Sequence, residues 1–428
     1  MTSQFTKKIS QSKPGFDFVA AHFQCETNRY STDNPDGFVN LGSAQNYLHS
    51  ELLGDRLAFV EGHPDDAHYQ AFNGTEDCRV SIANYLSSQS GIQVSQDTVV
   101  VSNGIISILE ALTIALLNEG DSVLIPTPVF PGLIAATSLR VKSKVELMET
   151  TAENGFRLTP AALETELNRL RQNGKRVRAI LICSPGNPVG HVFTSDELEE
   201  FLEVAEMFDC ALIVDEVYAG SVFDGDEFVS ATSLESGSVF VLGGLSKDYG
   251  LAGHATGWLQ STNEKVVKAV AKQSHFFRLP APIQRIVSAI LHPAWREDYL
   301  FVHRQKLKEA EQIAREELAN AGVPAAASQA GLCLWVDLSA FIDLDNPSAE
   351  MELYEELLSE HRIHISPGSG FKSTSRGYFR LCFSQPPEIL REGIKRLTAG
   401  LNARSRCTSI DSQVVHNNPT KGSKNVSC

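Results

Sequence analysis

Short apolar runs rich in β-branched residues recur between residues 98 and 242, and segments with helical periodicity separate them. Continuous apolar runs are typical of parallel strands, which are buried on both faces and connected by crossover helices. The capping-box spacing of Thr194 and Glu197 marks the start of one such helix. We therefore predict an α/β fold with a mostly parallel sheet, with strands at Thr98–Val101, Ser122–Ile125, Ala179–Cys183, Ala211–Val214 and Val239–Leu242 and helices at Ile106–Leu117 and Ser195–Phe208.

The pattern changes from about Pro293 onwards, where many Lys, Arg and Glu residues surround apolar positions at helical spacing. These positions include Leu300, Ile313 and Leu318, and they predict a long helix over Tyr299–Ala321. Strand-like segments follow at Leu332–Leu338, Ile363–Ser366 and Tyr378–Phe383. This part of the chain is therefore predicted to form a smaller α+β domain.

A chain of 428 residues is longer than one hydrophobic core usually organises, because cores stop growing at ~250 to 300 residues. We therefore predict a large domain over 46–295 and a small domain over 296–401. Residues 1–45 are predicted to form an N-terminal arm that packs on the small domain. Residues 402–428 are rich in Asn, Ser and Thr without periodicity, and are predicted to be a disordered tail.

The charge balance excludes several classes of partner. The formal net charge is -15 with a pI near 5.3, and no cluster of Lys and Arg offers a surface for nucleic acid or an anionic membrane. No run approaches the ~18 to 20 apolar residues of a membrane span. The N-terminal residues lack an apolar stretch after their charges, so we predict a cytoplasmic protein.

The eight cysteines include no C-x-x-C pair and no His-Cys cluster with zinc spacing, so no metal site is predicted. Cys183, Cys210, Cys333 and Cys382 lie inside apolar, strand-like runs. A reduced cysteine in such a run behaves as a small hydrophobe. We predict that these thiols are buried and structural.

Two polar residues follow strand-like runs and could carry chemistry. Lys247 lies in a loop of small residues after one run, and its amine can condense with an aldehyde. Asp215 ends another run at the carboxyl edge, where α/β sheets build their sites. Its carboxylate could keep a pyridine nitrogen protonated, and Tyr218 could contact the same ring's phenolic oxygen. The alternatives are a solvated lysine and an aspartate that caps the next turn.

Three further segments place polar groups where a ligand could use them. The turn Ser184–Gly190 projects Asn187, whose amide can donate to the same phenolic oxygen. Asn103 and Gly104 end a strand and open a helix, where backbone N–H groups can hold a phosphate. Arg380 lies in an apolar strand and could bind a substrate carboxylate bidentately. The alternatives are an ordinary turn, an ordinary helix start and an internal ion pair.

Four ordered motifs carry a resemblance to a known family: Asn187-Pro-x-Gly, Asp215-x-x-Tyr, Ser246-Lys-x-x-Gly-Leu and Phe379-Arg-x-x-Phe. In this order they resemble the class I/II aminotransferases of pyridoxal-phosphate (PLP) fold type I, over about residues 38 to 400. The stretches 41–46, 126–132 and 366–371 are similar to the 1-aminocyclopropane-1-carboxylate (ACC) synthase-like branch. The resemblance implies an aminotransferase-like large domain and a homodimer with its site at the subunit boundary.

The resemblance also implies a role for each motif residue. Lys247 would hold PLP as a Schiff base and, after an external aldimine forms with the substrate, move the Cα proton. Asp215 would pair with the pyridinium, Tyr218 and Asn187 with the phenolic oxygen, and Phe130 would stack on the ring. The remaining cofactor-binding residues would be Asn103, Gly104 and Ser246, and the substrate-binding residues would be Gln45 and Arg380.

The chain departs from the family at positions that normally hold the cofactor's phosphate. Gly244, Ala255 and Phe72 stand where the family has a Ser, an Arg and a Tyr from the neighbouring subunit. Loss of the Arg removes a charge-assisted contact of ~1.5 to 3 kcal/mol. We expect weaker PLP binding, with Ser246, His254 or Asn103 in compensation.

Two departures concern the substrate. Gln45 replaces a Glu of ACC synthases, and the apolar stretch Leu133–Ala136 replaces a charged one. Both offer less electrostatic complementarity to the sulfonium of S-adenosylmethionine. We therefore predict an aminotransferase of the ACC synthase-like type that acts on an amino acid or an amino-acid-derived substrate. The alternatives are a C–S lyase or other β/γ-eliminating lyase, and a cofactor-impaired, non-catalytic homologue.

Overall fold

The computed structural model describes residues 16–58, 60–141, 143–225 and 228–417. The helices are α1 Phe18–Glu26, α2 Ser50–Ala58, α3 Glu76–Ser90, α4 Ile105–Leu116, α5 Pro131–Ser138, α6 Pro160–Gln172, α7 Ser195–Met207, α8 Glu264–Gln273, α9 Ala281–Ile290, α10 Pro293–Asn320, α11 Ala349–Ser359 and α12 Pro387–Asn417. The strands are β1 Val39–Asn40, β2 Val99–Ser102, β3 Ser122–Thr127, β4 Lys144–Glu149, β5 Val177–Cys183, β6 Ala211–Asp215, β7 Val239–Gly243, β8 Gly257–Gln260, β9 Cys333–Asp337, β10 Ile363–His364, β11 Ser366–Pro367 and β12 Tyr378–Cys382.

A seven-stranded, mostly parallel sheet forms the first half of the fold, in the order β2-β8-β7-β6-β5-β3-β4. Only β8 runs antiparallel to its neighbours β2 and β7 among the strands of this sheet. The five strands predicted from apolar runs are all present, which confirms the α/β assignment. Sequence patterns missed β4, which is a largely exposed edge strand with alternating charges, and β8, whose sequence Gly-Trp-Leu-Gln contains no β-branched residue.

The central strands are buried on both faces, as their continuous apolar sequences require. In β6, Leu212 packs in a core cluster that includes Phe201 of α7. Its neighbour Ile213 points to the opposite face and joins a cluster that includes Ile108 of α4. This two-sided packing holds the carboxyl ends of the parallel strands at one edge of the sheet.

The second half of the chain is built around the long helix α10 and a three-stranded antiparallel sheet in the order β11-β12-β9. Helix α10 begins at Pro293, earlier than predicted, because a proline in the first turn needs no N–H partner. Strand β1 pairs in parallel with β10, with Val39 opposite Ile363. Leu41, Leu307 and Phe379 then share one core cluster. The division into a large domain over 46–295 and a small domain over 296–401 stays a prediction.

The C-terminal segment requires one correction. Helix α12 runs to Asn417, so residues 402–417 are helical where a disordered tail was predicted. The physical reason is that 401–417 contains no proline or glycine that would end the helix. Residues 418–428 of the predicted tail lie outside the described residues. Within the described ranges, no helix combines the length and the apolar character that a bilayer crossing requires.

Glu216, directly after β6, gives the fold a testable pH dependence. Its buried carboxylate accepts hydrogen bonds from Ser230 Oγ at 2.6 Å and from Ala231 N at 2.7 Å. Burial raises its pKa to about 8, although these two hydrogen bonds oppose the shift. Between the unfolded and folded pKa values the folded state holds a proton that the unfolded state has lost, so this group's contribution to stability falls as pH rises.

We predict that Glu216→Gln, which mimics the protonated acid, is more stable than the wild type at pH 8 by about 3 to 5 kcal/mol. At pH 5, where the folded-state acid is already protonated, the two proteins should unfold at nearly the same temperature. Thermal unfolding of both proteins at both pH values measures the difference. A difference that does not change with pH would contradict the prediction.

Candidate active site

The carboxyl ends of β5, β6 and β7 open onto one cavity of about 320 Å³. Parallel strands end at the same edge of a sheet, so polar residues that follow different strands meet there. Every residue predicted to bind the cofactor lines this cavity: Asn103, Gly104, Phe130, Asn187, Asp215, Tyr218, Ser246 and Lys247. The structure therefore brings together groups that are far apart in the sequence.

Lys247 is half-buried in the loop that follows β7. Its Nζ donates a hydrogen bond to the backbone oxygen of Ala44 at 2.7 Å. Burial lowers the pKa of its amine, and the charge of Arg380 lowers it further. Both effects favour the neutral amine, which is the nucleophilic form that can condense with an aldehyde. The alternative of a solvated surface lysine does not hold.

Asp215 ends β6 and is 6% exposed. Its Oδ1 accepts a hydrogen bond from Val217 N at 3.2 Å, so it does cap the following turn. Burial raises its pKa to about 6, while the Val217 bond and the charge of Lys247 lower it. A buried carboxylate of this kind is stabilised by a cationic group placed against it.

Asn187 links Tyr218, which is predicted to face the cofactor, to Arg380, which is predicted to bind the substrate carboxylate. Its Nδ2 donates to Tyr218 Oη at 3.4 Å, and its Oδ1 accepts from Arg380 Nη1 at 3.1 Å. The turn that carries Asn187 is closed by hydrogen bonds from Gly186 N to His191 O and from Gly190 N to Gly186 O. The side-chain hydrogen bonds with Tyr218 and Arg380 fix the orientation of the Asn187 amide.

Arg380 is buried in β12, with 3% exposure. Its Nη2 donates to Gly42 O at 2.6 Å, and its buried Nε has no hydrogen-bond partner. No Asp or Glu of the described chain pairs with this guanidinium, so the alternative of an internal ion pair is wrong. The rings of Phe371 and Phe18 lie 4.6 and 5.8 Å from its Cζ. A buried cation in this state suits an incoming carboxylate.

Gln45 lies outside the set of residues that line the cavity, although it directly follows Ala44. Its side-chain oxygen accepts a hydrogen bond from Tyr47 Oη, and its backbone oxygen accepts one from Ser384 Oγ at 2.7 Å. The guanidinium of Arg29 lies 4.6 Å from the Tyr47 ring. The substrate-binding role of Gln45 stays a prediction.

One end of the cavity offers backbone donors but little positive charge. Helix α4 begins after Gly104, which makes no side-chain capping bond, so N–H groups of its first turn are free for a ligand. Asn103 and Ser246 line the same region. Among the lining residues, all of which are described, Lys247 is the only cation. His254, which was expected to compensate, is not one of the lining residues.

The three unusual positions have different structural settings. A Cβ on Gly244 would lie 2.5 Å from Thr256 O, so a serine cannot fit there unless the backbone moves. Ala255 lines the cavity, with a φ of 46°. Phe72 lies outside the cavity lining. Its ring centroid is 4.4 Å from that of His275 and 5.2 Å from Cζ of Arg278.

Cys183 is a lining residue that the sequence analysis assigned only a structural role. It ends β5 directly opposite Asp215 in the register of β5 and β6. Its position at the carboxyl end of a predicted strand was the available signal, since α/β sheets place their sites there. The aromatic residues Phe18 and Phe371 near Arg380 were also missed.

The fold and the cavity define a PLP-dependent enzyme of fold type I. The family model for aminotransferase class I and II matches residues 37–397, and the chain belongs to this family. It is similar to 1-aminocyclopropane-1-carboxylate synthase 5 of Oryza sativa subsp. japonica, with 32% identity over 83% of this chain and 71% of the relative. It is equally similar to the probable aminotransferase ACS12 of Arabidopsis thaliana, with 32% identity over 85% and 79%.

Solved structures agree on the fold. Aspartate aminotransferase from Thermus thermophilus with maleate superposes with a TM-score of 0.78 and 21% identity, covering 94% of this chain and 100% of that chain. Aspartate aminotransferase from Rhizobium meliloti superposes with a TM-score of 0.79 and 21% identity, covering 94% and 99%. At these identities the likeness establishes the fold alone.

The position of Ala255 yields a prediction about cofactor affinity. The Ala255 backbone adopts the left-handed conformation even though the residue carries a Cβ, and the residue lines the cavity. We predict that Ala255→Arg tightens PLP binding about tenfold, because a guanidinium adds a charge-assisted contact to a phosphate. Titration of cofactor-free protein with PLP measures the dissociation constant.

The matched control is Ala255→Gln, which adds a long side chain without charge. It should leave the affinity near that of the wild type. Equal gains in both variants would show that charge is not what this end of the cavity lacks.

Proposed function

We propose that this protein is a PLP-dependent aminotransferase of the ACC synthase-like type, which acts on an amino acid or an amino-acid-derived substrate. One observation carries the proposal. A lysine amine lines the cavity, and a buried arginine that pairs with no Asp or Glu of the described chain adjoins the cavity through its hydrogen bond to the lining residue Asn187. The first suits an aldehyde cofactor, and the second suits the carboxylate that every α-amino acid carries.

The described residues fit PLP at most of its recognition points. Lys247 would hold the aldehyde carbon, Asp215 the ring nitrogen, and Tyr218 with Asn187 the phenolic oxygen. Phe130 would cover the ring. The phosphate would rest on the N–H groups that open α4, with Asn103, Gly104 and Ser246 beside them. When bound, PLP supplies a sink for the electrons released from a Cα bond of the substrate.

The chain's own residues would then control the proton and the substrate. Lys247, once released by the substrate amine, would take the Cα proton and return it, since desolvation lowers the pKa of its amine and favours the neutral form. Asp215 would keep the ring nitrogen protonated through its carboxylate. Arg380 would orient the substrate through its carboxylate while Gly42 O and Asn187 hold two of its nitrogens.

The residues near the cavity favour transamination over chemistry on S-adenosylmethionine. Leu133 contributes an apolar wall, and the side-chain oxygen of Gln45 is neutral and already bonded to Tyr47. Neither stabilises a sulfonium cation. We also propose a cytoplasmic homodimer whose site lies at the subunit boundary, which rests on the family resemblance alone.

Similarity to relatives named ACC synthase supports a second candidate, a C–S lyase or another β/γ-eliminating lyase. Both candidates begin with removal of the same Cα proton and differ in the bond that breaks next. A non-catalytic homologue is the third possibility. Against it stands the placement of Lys247 and Asp215 at one cavity, since cofactor loss would remove the need for either.

A substrate screen tests the proposal. Protein loaded with PLP is incubated with a panel of amino acids, with and without a keto acid. We expect amine transfer that depends on the keto acid, and a fall of at least ~10²-fold in Lys247→Ala, because the group that moves the proton is lost. Lys268→Ala is the control, since Lys268 is exposed and pairs only with Glu264 among the described residues.

The outcomes separate the three candidates. Ammonia or thiol release without an acceptor would replace the aminotransferase proposal with the lyase. A protein that takes up no PLP, and therefore shows no absorption band of the bound cofactor, would contradict both enzyme candidates. Equal losses in the two lysine variants would contradict the role of Lys247.

A further inference from the structure

Cys333 and Cys382 lie opposite each other on neighbouring strands of the small antiparallel sheet. They are register partners in the pairing of β9 with β12. Their Sγ atoms are 2.9 Å apart, and both residues are buried free thiols. The fold therefore brings two cysteines that are 49 positions apart in sequence into contact with each other.

The backbone at this pair has the geometry that a disulfide requires. Phe383 N donates to Leu332 O, whereas Cys382 N donates to Leu41 O rather than to its register partner. This is the pattern of a non-hydrogen-bonded pair, in which opposite Cα atoms are ~4.5 Å apart and side chains are closest. Disulfides form across Cα separations of ~4.4 to 6.8 Å, so neither strand has to move far.

The thiols also lie beside the cationic residues of the candidate active site. Cys382 is two residues after Arg380 on β12, so both side chains point to the same face of the sheet. Burial raises the pKa of the Cys382 thiol, but the hydrogen bond with Cys333 and the charges of Arg380 and Lys247 outweigh burial and lower it. Burial raises the pKa of Cys333. The two thiols therefore differ, with Cys382 the better nucleophile.

We propose that Cys333 and Cys382 form a redox-sensitive pair that peroxide converts to a cross-strand disulfide beside Arg380. The thiolate of Cys382 attacks hydrogen peroxide and becomes a sulfenic acid, and the released hydroxide takes up a proton to form water. The thiol of Cys333 then attacks that sulfur and displaces a second water. The two thiols lose two electrons and two protons, and the peroxide is reduced to two water molecules.

The oxidised pair changes the setting of Arg380. The disulfide removes the Cys382 thiol as a charge and hydrogen-bond partner of the guanidinium, which also donates to Gly42 O and Asn187. Without this competing partner the guanidinium is freer to pair with a substrate carboxylate, and one strengthened charge-assisted contact corresponds to a fall in KM of about tenfold. This functional consequence rests on the proposed function, whereas formation of the disulfide does not.

The first experiment maps the bond without any assay of activity. The full chain is treated with hydrogen peroxide, its free thiols are alkylated under denaturing conditions, and the digest is analysed by mass spectrometry. We expect a cross-linked peptide that joins Cys333 to Cys382 and that disappears after treatment with dithiothreitol. Both thiols recovered alkylated after oxidation would overturn the proposal.

Two variants sharpen the test. Cys333→Ala removes the second thiol, so oxidation should stop at a sulfenic acid on Cys382 that dimedone traps. Cys210→Ala is the matched control, because Cys210 is also buried but, within the described residues, its thiol donates only to backbone oxygens. This variant should keep the 333–382 cross-link. Dimedone labelling that is equal in the wild type and in Cys333→Ala would contradict the role given to Cys333.

The second experiment addresses the consequence for substrate. With an amino acid that the wild type accepts, KM is compared before oxidation, after oxidation and after reduction. We expect the ~10-fold fall in KM to be reversed by dithiothreitol and to be absent in Cys333→Ala. A mapped disulfide with an unchanged KM would overturn the link to Arg380. Absence of any accepted amino acid would instead count against the proposed function.

Discussion

The desolvation of one amine at the carboxyl edge of a parallel sheet is the constraint on which the site depends. Water would protonate Lys247 and make it unreactive, and the interior of the fold lowers its pKa instead. That environment exists because β5, β6 and β7 are packed on both faces and end together. Asp215 is held at the same edge by the same packing, so the sheet fixes the amine and the carboxylate relative to each other.

Much of this arrangement could be predicted from the sequence. The central strands are apolar throughout because both of their faces are buried, and the positions of Asp215 and Lys247 just after such strands placed them at one edge. The exposed strand β4 alternates charged and apolar residues, and β8 has no β-branched residue, so neither shows a continuous apolar run and both were missed. The helix that replaces part of the predicted tail was missed because polar composition does not by itself exclude a helix.

Other features depend on contacts between residues that are distant in sequence. That Arg380 pairs with no Asp or Glu in the described part of the chain could not be predicted from its own strand, because a partner can come from any part of the chain. The requirement for glycine at 244 arises from the close approach of Thr256 O, and β8 brings that oxygen there. The pairing of Cys333 with Cys382 likewise follows from the register of β9 and β12 rather than from either segment alone.

The central claim is that one particular amine holds the cofactor. The direct measurement is to load the protein with PLP, reduce it with sodium borohydride so that the cofactor stays on the amine that binds it, and locate the added mass by peptide mapping. The account predicts a single modified peptide, the one that contains Lys247. Modification spread over exposed lysines such as Lys268, or none at all, would contradict it.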